Sequence, residues 1–102
     1  MYDIRLTRKA DKDFSHLGKV EMLKAAQALA TLKIEPYAGH YLTGSLRGAR
    51  SLEFSAPGGA YRAAYVVREG QKRCVVFLVG SHEGFYKEAE RRYEALKKSD
   101  KP

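Results

Sequence analysis

Four side chains in the second half of the chain can transfer protons, stabilise charge or stack on a base: Glu53, Arg62, His82 and Tyr86. His82 follows Gly80-Ser81 at the end of a predicted strand, where a rigid scaffold presents side chains to a ligand. Histidine titrates near neutral pH, so it can donate or accept a proton. Tyr86 lies one helical turn later, and its ring can stack on an unpaired base. The pattern indicates acid–base chemistry beside a surface that can bind single-stranded RNA.

Cleavage of RNA by its own 2′-hydroxyl needs only such groups. A base takes the proton of the 2′-hydroxyl, which then attacks the adjacent phosphate, and an acid protonates the leaving 5′-oxygen. Cations stabilise the charge of the pentacovalent transition state. The sequence offers Glu53 or His40 as the base, His82 as the acid, and Arg62 with Arg50 as the cations.

Other kinds of catalytic site lack their motifs. The chain has no glycine-rich phosphate-binding loop, no nucleophile elbow and no Cys–His pattern. Its three histidines, at positions 16, 40 and 82, have no ligand-like spacing, and its single cysteine, Cys74, excludes a disulfide framework within the chain. We therefore expect no metal and no small-molecule cofactor.

The formal net charge of +7 is concentrated in the middle of the chain. Residues 40–82 carry six basic and only two acidic side chains. Clustered basic charge attracts phosphate polyanions, although a generic solvated surface or an acidic protein partner would also account for it. We expect RNA to contact Arg47, Arg50, Arg68 and Lys87.

The hydrophobic pattern predicts a single α+β domain that would position these residues. Alternation and helical spacing place a strand at 2–6, helices at 8–17 and 19–34, strands at 51–55, 60–68 and 73–79, and a helix at 83–98. The order β-α-α-β-β-β-α favours an antiparallel sheet with a helical hairpin on one face and a C-terminal helix. Residues 37–48 are predicted to be a connector, residues 1–98 the domain, and residues 99–102 a frayed tail.

Strand parity places two of the candidate residues on one surface. If Leu52 and Phe54 face the helices, Glu53 faces the opposite way, and Arg62 of the next strand faces the same way as Glu53. Adjacent strands lie about 5 Å apart, so the two side chains can meet. The pair can also be a simple cross-strand salt bridge, worth less than about 1 kcal/mol.

The short apolar runs and the charges near the N-terminus predict a cytoplasmic protein. The longest apolar run, Val75–Val79, is far shorter than the roughly 18 residues of a membrane span. Charges at Asp3, Arg5, Arg8 and Lys9 do not fit a signal peptide.

Several short motifs resemble those of the RelE/ParE superfamily of toxin–antitoxin toxins. From about residue 2 to 93 the resemblance rests, in order, on Tyr2-Asp3-Ile4-Arg5-Leu6-Thr7, Ala10, Lys12-Asp13-Phe14, Leu46-Arg47-Gly48, Tyr61-Arg62-Ala63-Ala64-Tyr65, Val79-Gly80-Ser81-His82 and Phe85-Tyr86-Lys87. The segment 39–45 and the ending 80–86 are similar to the YafQ-type members of the RelE branch.

This resemblance implies a RelE-like fold and a ribosome-dependent mRNA endonuclease that inhibits translation and is neutralised by a cognate antitoxin. It implies catalytic roles for His82, Arg62 and Tyr86, and further ones for His40 and Glu53. The sequence departs from RelE where that toxin has two lysines on the second strand, since Glu53 and Ser55 stand there. A ParE-like toxin that binds DNA gyrase, or an inactive relative that binds only RNA or antitoxin, is the alternative.

Overall fold

In the computed structural model, which describes residues 1–81 and 83–99, five strands form one sheet and three helices pack against it. The strands are β1 (Asp3–Leu6), β2 (His40–Tyr41), β3 (Arg50–Ala56), β4 (Gly59–Arg68) and β5 (Arg73–Ser81), and the helices are α1 (Arg8–Ser15), α2 (Lys19–Thr31) and α3 (Phe85–Ser99). The predicted α+β class is confirmed. Within the described residues, no helix is both long and apolar enough to cross a membrane.

The strand order β1-β5-β4-β3-β2 differs from the prediction in two respects. β1 pairs with β5 in parallel, while the other neighbours are antiparallel, so the sheet is mixed rather than wholly antiparallel. The β4–β5 hairpin leaves one edge of β5 unpaired, and β1 binds there. The predicted connector also contains β2, whose two residues pair with Arg50 and Ser51. A strand of two residues is too short for alternation to reveal.

Local signals set the ends of the helices. The Thr7 hydroxyl accepts a hydrogen bond from the Ala10 N–H at 3.1 Å and caps α1, as such residues do at helix N-termini. α2 ends at Thr31, three residues before its predicted end. α3 continues to Ser99, so the first residue of the predicted tail is helical, whereas residues 100–102 lie outside the described ones.

Both faces of the sheet carry a hydrophobic core. The core beneath α1 and α2 is formed by the buried residues Ala10, Leu29, Leu32, Ala63, Tyr65, Cys74, Val76 and Val79. The core beneath α3 is formed by the buried residues Leu46, Ala49, Ala64, Val66, Phe77, Leu78, Phe85, Ala89 and Tyr93. The face opposite the helical hairpin is therefore covered along its middle by α3.

A bulge in β5 enlarges the core beneath α3. Val76 pairs with Tyr65 and Leu78 pairs with Ala64, which leaves Phe77 as an extra residue without a partner on β4. Because of this extra residue, the consecutive Phe77 and Leu78 both belong to the same core. Phe77 then stacks on Tyr93 of α3, with ring centroids 5.6 Å apart.

Side chains complete the edge of β5 beyond the end of β1. β1 pairs with β5 only as far as Val76. Further along, the Val79 N–H donates to the Asp13 carboxylate at 3.1 Å, and the Phe77 carbonyl accepts from the Arg92 guanidinium at 3.1 Å. Backbone groups that would otherwise lack a partner are thereby satisfied, and α1, β5 and α3 are joined at one point.

Tyr65 fixes the connector that leads from α2 to β2. Its fully buried hydroxyl donates to the Pro36 carbonyl at 2.8 Å and accepts from the Gly39 N–H at 2.9 Å. A Cβ atom at position 39 would lie 2.8 Å from the Tyr65 ring and hydroxyl, so glycine is needed there for close approach. Burial raises the pKa of Tyr65.

Candidate functional site

Glu53 and Arg62 face each other across β3 and β4, as strand parity predicts. They are register partners in the antiparallel pair, and the Arg62 Nη2 lies 3.1 Å from the Glu53 Oε2. The two side chains differ in exposure, since Arg62 is only 17% exposed and Glu53 is 49% exposed. The guanidinium is therefore held in place, while the carboxylate remains accessible from solution.

Tyr86 lies against the same guanidinium. The Arg62 Cζ is 5.5 Å from the centroid of the Tyr86 ring, within the range of a cation–π contact. Tyr86 is in the first turn of α3, next to Phe85, which is buried in the core beneath that helix. Because Phe85 fixes the start of α3, Tyr86 has a defined position while remaining 39% exposed. We call Glu53, Arg62 and Tyr86 the Arg62 cluster.

Two further candidates adjoin the Arg62 cluster. His40 is exposed on β2 and pairs with Ser51, so it shares the face of Glu53 as its diagonal neighbour, at about 7–8 Å by sheet geometry. Lys87 is exposed and follows Tyr86 in α3. His82, predicted as the acid, lies outside the described residues.

The structure does not bring Arg50 to this cluster. Arg50 is one residue before Ser51 and therefore points to the opposite face of β3 from Glu53. Its Nη1 donates to the carbonyl oxygens of Tyr37, at 3.2 Å, and Gly39, at 2.9 Å. The predicted clamp of Arg62 with Arg50 is therefore wrong as a geometric pairing, because the register pairs Arg50 with Tyr65 and Arg62 with Glu53, on opposite faces of the sheet.

Arg47 and Arg68 lie near Tyr93 in the second half of α3, whereas the Arg62 cluster lies at the start of that helix. Arg68 follows Arg62 by six positions on β4, which is about 20 Å. The Tyr93 hydroxyl donates to the Arg47 carbonyl at 2.6 Å, and a Cβ at Gly48, whose φ is +100°, would lie against that hydroxyl. Burial raises the pKa of Tyr93, and the charge of Arg68 opposes that rise. The expected RNA contacts at Arg47 and Arg68 are therefore separated from the Arg62 cluster.

The sequence did not predict an ionic network that holds α3 against the sheet. The Arg92 guanidinium binds both carboxylate oxygens of Asp13, at 2.6 and 3.1 Å, and its Nε donates to Glu88 at 2.8 Å. Burial alone would lower the pKa of Arg92, but its bonds to Asp13 and Glu88 raise it. The spacing of Glu88 and Arg92 on one helix was a visible signal, whereas nothing in the sequence connects Asp13 to a residue 79 positions away.

The candidate site is an open surface. Four of the grooves in the described surface have volumes of about 290–410 Å³, and no residue of the Arg62 cluster lines any of these four. Among residues 1–81 and 83–99, no three potential metal-binding side chains are grouped. An open, partly basic surface suits an extended polymer better than a small molecule, which needs a concave pocket.

The sequence places the chain in a known family. Residues 4–90 match the ParE-like toxin of type II bacterial toxin–antitoxin systems. Because the match spans most of the chain, the chain belongs to this family, within the RelE/ParE superfamily. No curated protein sequence matches the chain.

Solved structures share its fold. A chain of the intact Escherichia coli RelBE toxin–antitoxin complex is 18% identical, with a TM-score of 0.68 over 81% of this chain and 99% of that chain. A mutant of the E. coli toxin RelE in the free state is 17% identical, with a TM-score of 0.74 over 93% and 97%. A chain of the Mycobacterium tuberculosis RelBE2 complex is 26% identical, with a TM-score of 0.65 over 79% and 98%. The RelE-like fold is therefore confirmed.

Proposed function

We propose that this toxin is a ribosome-dependent mRNA endoribonuclease that inhibits translation in the cytoplasm. The observation that carries the proposal is the Arg62 cluster, in which a carboxylate, a guanidinium and an exposed ring meet on the surface of a basic chain. A structural salt bridge would need only Glu53 and Arg62. The exposed ring beside them supplies what a base of single-stranded RNA requires for stacking.

Each member of the site has a role in the reaction. Glu53 or His40 takes the proton of the ribose 2′-hydroxyl, and the 2′-oxygen forms a bond to the adjacent phosphorus. His82 gives a proton to the 5′-oxygen as the bond from phosphorus to that oxygen breaks. The positive charge of Arg62 stabilises the negative charge of the transition state. Tyr86 stacks on the base next to the scissile phosphate.

The role of Arg62 can be tested with purified toxin, ribosomes and a translated mRNA. Primer extension should show cleavage within codons by the wild-type chain. Removing one transition-state charge contact costs about 100- to 1,000-fold in rate, so we expect that loss in Arg62→Ala. Glu53→Gln, His40→Ala and His82→Ala distinguish the two candidate bases and the acid.

Arg5→Ala is the matched control. It removes the same charge from β1, at the far edge of the sheet, where Arg5 is 60% exposed. Its cleavage rate should equal that of the wild type. Full activity of both Arg62→Ala and His82→Ala would overturn the proposal.

Gyrase inhibition is the second candidate, because the matching family carries the name of ParE. A toxin of that kind would leave mRNA intact and cause gyrase-dependent DNA breaks. Arg62→Ala would then have no reason to change the rate of RNA cleavage. Intact mRNA together with such breaks in expressing cells would favour this candidate, and intact mRNA and DNA would favour an inactive relative.

A further inference from the structure

Two exposed tyrosines share one guanidinium at the β2 edge of the sheet. The Arg50 Cζ lies 5.0 Å from the centroid of the Tyr37 ring and 5.4 Å from that of the Tyr41 ring. Tyr37 is 44% exposed and Tyr41 is 54% exposed. We call Tyr37, Arg50 and Tyr41 the tyrosine platform.

The backbone fixes the platform in place. Tyr41 pairs with Arg50 across β2 and β3, and Arg50 also donates to the carbonyls of Tyr37 and Gly39. The Gly39 N–H is in turn bound by the buried Tyr65 hydroxyl. The rings are therefore presented by a braced segment, which lowers the entropy lost when a ligand orders them.

The hydrogen bonds of Arg50 explain why the connector is held in place, but they do not explain why two tyrosine rings lie against Arg50. A guanidinium that binds two backbone carbonyls needs no aromatic neighbour to do so. Each ring faces the cation with part of its surface and leaves a large part in solvent. Exposed apolar surface is unfavourable in water, so this arrangement has a free-energy cost in a monomer. A partner with flat rings and negative charge would cover that surface and be attracted by the cation.

The platform lies next to the Arg62 cluster around one sheet edge. β2 is the edge strand, and its two residues point to opposite faces. His40 shares the face of Glu53, whereas Tyr41 belongs to the platform on the other side. A polymer that reaches the Arg62 cluster across β2 therefore passes the platform.

We propose that the tyrosine platform is a second contact for single-stranded RNA, at which unpaired bases stack on Tyr37 and Tyr41. The choice of RNA rests on the proposed function, while the stacking rests on the geometry of the platform. Stacking on a tyrosine is tolerant of base identity, because every base has a flat face. The platform therefore adds affinity outside the cleavage position without dictating where the cut falls.

The test is binding of an uncleavable probe in the absence of ribosomes. A fluorescent 2′-O-methyl oligoadenylate has no 2′-hydroxyl to attack, and its affinity can be measured by anisotropy over a range of salt. Tyr37→Leu and Tyr41→Leu should each weaken binding by at least about fivefold, as the loss of one stacked base does. The dependence of log affinity on log salt should keep its slope, because no charge is removed.

Three controls make the result specific. Tyr41→Phe keeps the ring and should bind as the wild type does. Ile34→Ala removes a neighbouring apolar side chain that is 75% exposed but cannot stack, and its affinity should not change. Lys87→Ala removes one phosphate contact and should lower the salt slope.

Wild-type affinity in both leucine variants would overturn the proposal. If those variants instead lost binding only to the antitoxin, the platform would be a protein-docking surface and the proposal would also be wrong. Failure of the proposed function is a separate outcome, since an uncut mRNA in the ribosome assay leaves the probe measurement unaffected.

Discussion

Tyr65 has a structural role that its position in a strand conceals. Its hydroxyl hydrogen-bonds to residues 36 and 39, in the segment that leads from α2 to β2. Parity placed Glu53 and Arg62 together, because pairing in a short hairpin is a local property. The pairing of Arg62 with Arg50 failed because Arg50 lies one residue before the strand predicted at 51–55, yet it belongs to β3 and faces away from Glu53.

Tyr65→Phe should lower the free energy of unfolding by about 1–3 kcal/mol at pH 7, because two buried backbone groups lose their partner. Urea denaturation measures the difference. The pKa of Tyr65 is raised by burial, so the folded state binds the phenolic proton more tightly than the unfolded state does. Stability from this proton is complete below about pH 10 and is lost as the pH rises through the folded-state value.

The variant therefore has a distinctive pH profile. The wild-type chain should lose stability steeply above about pH 10, and Tyr65→Phe should lose less over the same range. Because the pKa of Tyr93 is raised in the same direction, part of the alkaline loss should persist in Tyr65→Phe and become smaller in the double variant with Tyr93→Phe. Burial also raises the pKa of the Cys74 thiol, which accounts for a further part of the loss. Identical alkaline profiles for wild type and Tyr65→Phe would contradict this assignment.

At the scale of elements, α3 depends on contacts that are distant in sequence. The helix itself was predictable from composition, and its start differs from the prediction by two residues. Its placement was not predictable, because it follows from the β5 bulge and from the bonds of Arg92 to Asp13. The short β2 and the parallel pairing of β1 with β5 were not predictable either, because neither leaves a periodic pattern within one segment of the sequence.

Arg92→Met should loosen α3. The change leaves Asp13 and Glu88 without their shared cation in a partly buried site, and we expect a loss of roughly 2–3 kcal/mol in stability. Amide hydrogen exchange should become faster in α3 and at Val79, whose N–H depends on Asp13. Since Tyr86 begins this helix, RNA cleavage should also fall.

Arg91→Met provides the matched comparison for that experiment. Arg91 neighbours Arg92 and contacts Glu88 at 3.4 Å, yet its side chain is 74% exposed. Exposed pairs of this kind are worth little, so both exchange and stability should stay within about 0.5 kcal/mol of the wild type. Equal effects of the two substitutions would mean that the bonds of Arg92 do not hold α3 in place.

At the scale of the whole molecule, the charge of +7 bears on the partner as well as on RNA. The chain belongs to a family of toxins from toxin–antitoxin systems, and we propose a cognate antitoxin with an acidic or amphipathic segment that lies over the helices or covers the basic surface. The product of the adjacent reading frame should bind the purified toxin and restore growth. Binding should weaken with salt, because complementary charge speeds association. A chain indifferent to that product would contradict this proposal.

The parallel β1–β5 pair also determines when the toxin can fold during its synthesis. β1 is made first, yet its partner residues on β5 lie seventy positions later in the chain. At 5–20 residues per second, the partner strand of β1 is therefore made about 4–14 s after β1 itself. The Arg62 cluster must wait longer still, since Tyr86 is made after β5. The nascent chain therefore has no complete Arg62 cluster, the surface proposed for RNA cleavage, until Tyr86 has been translated.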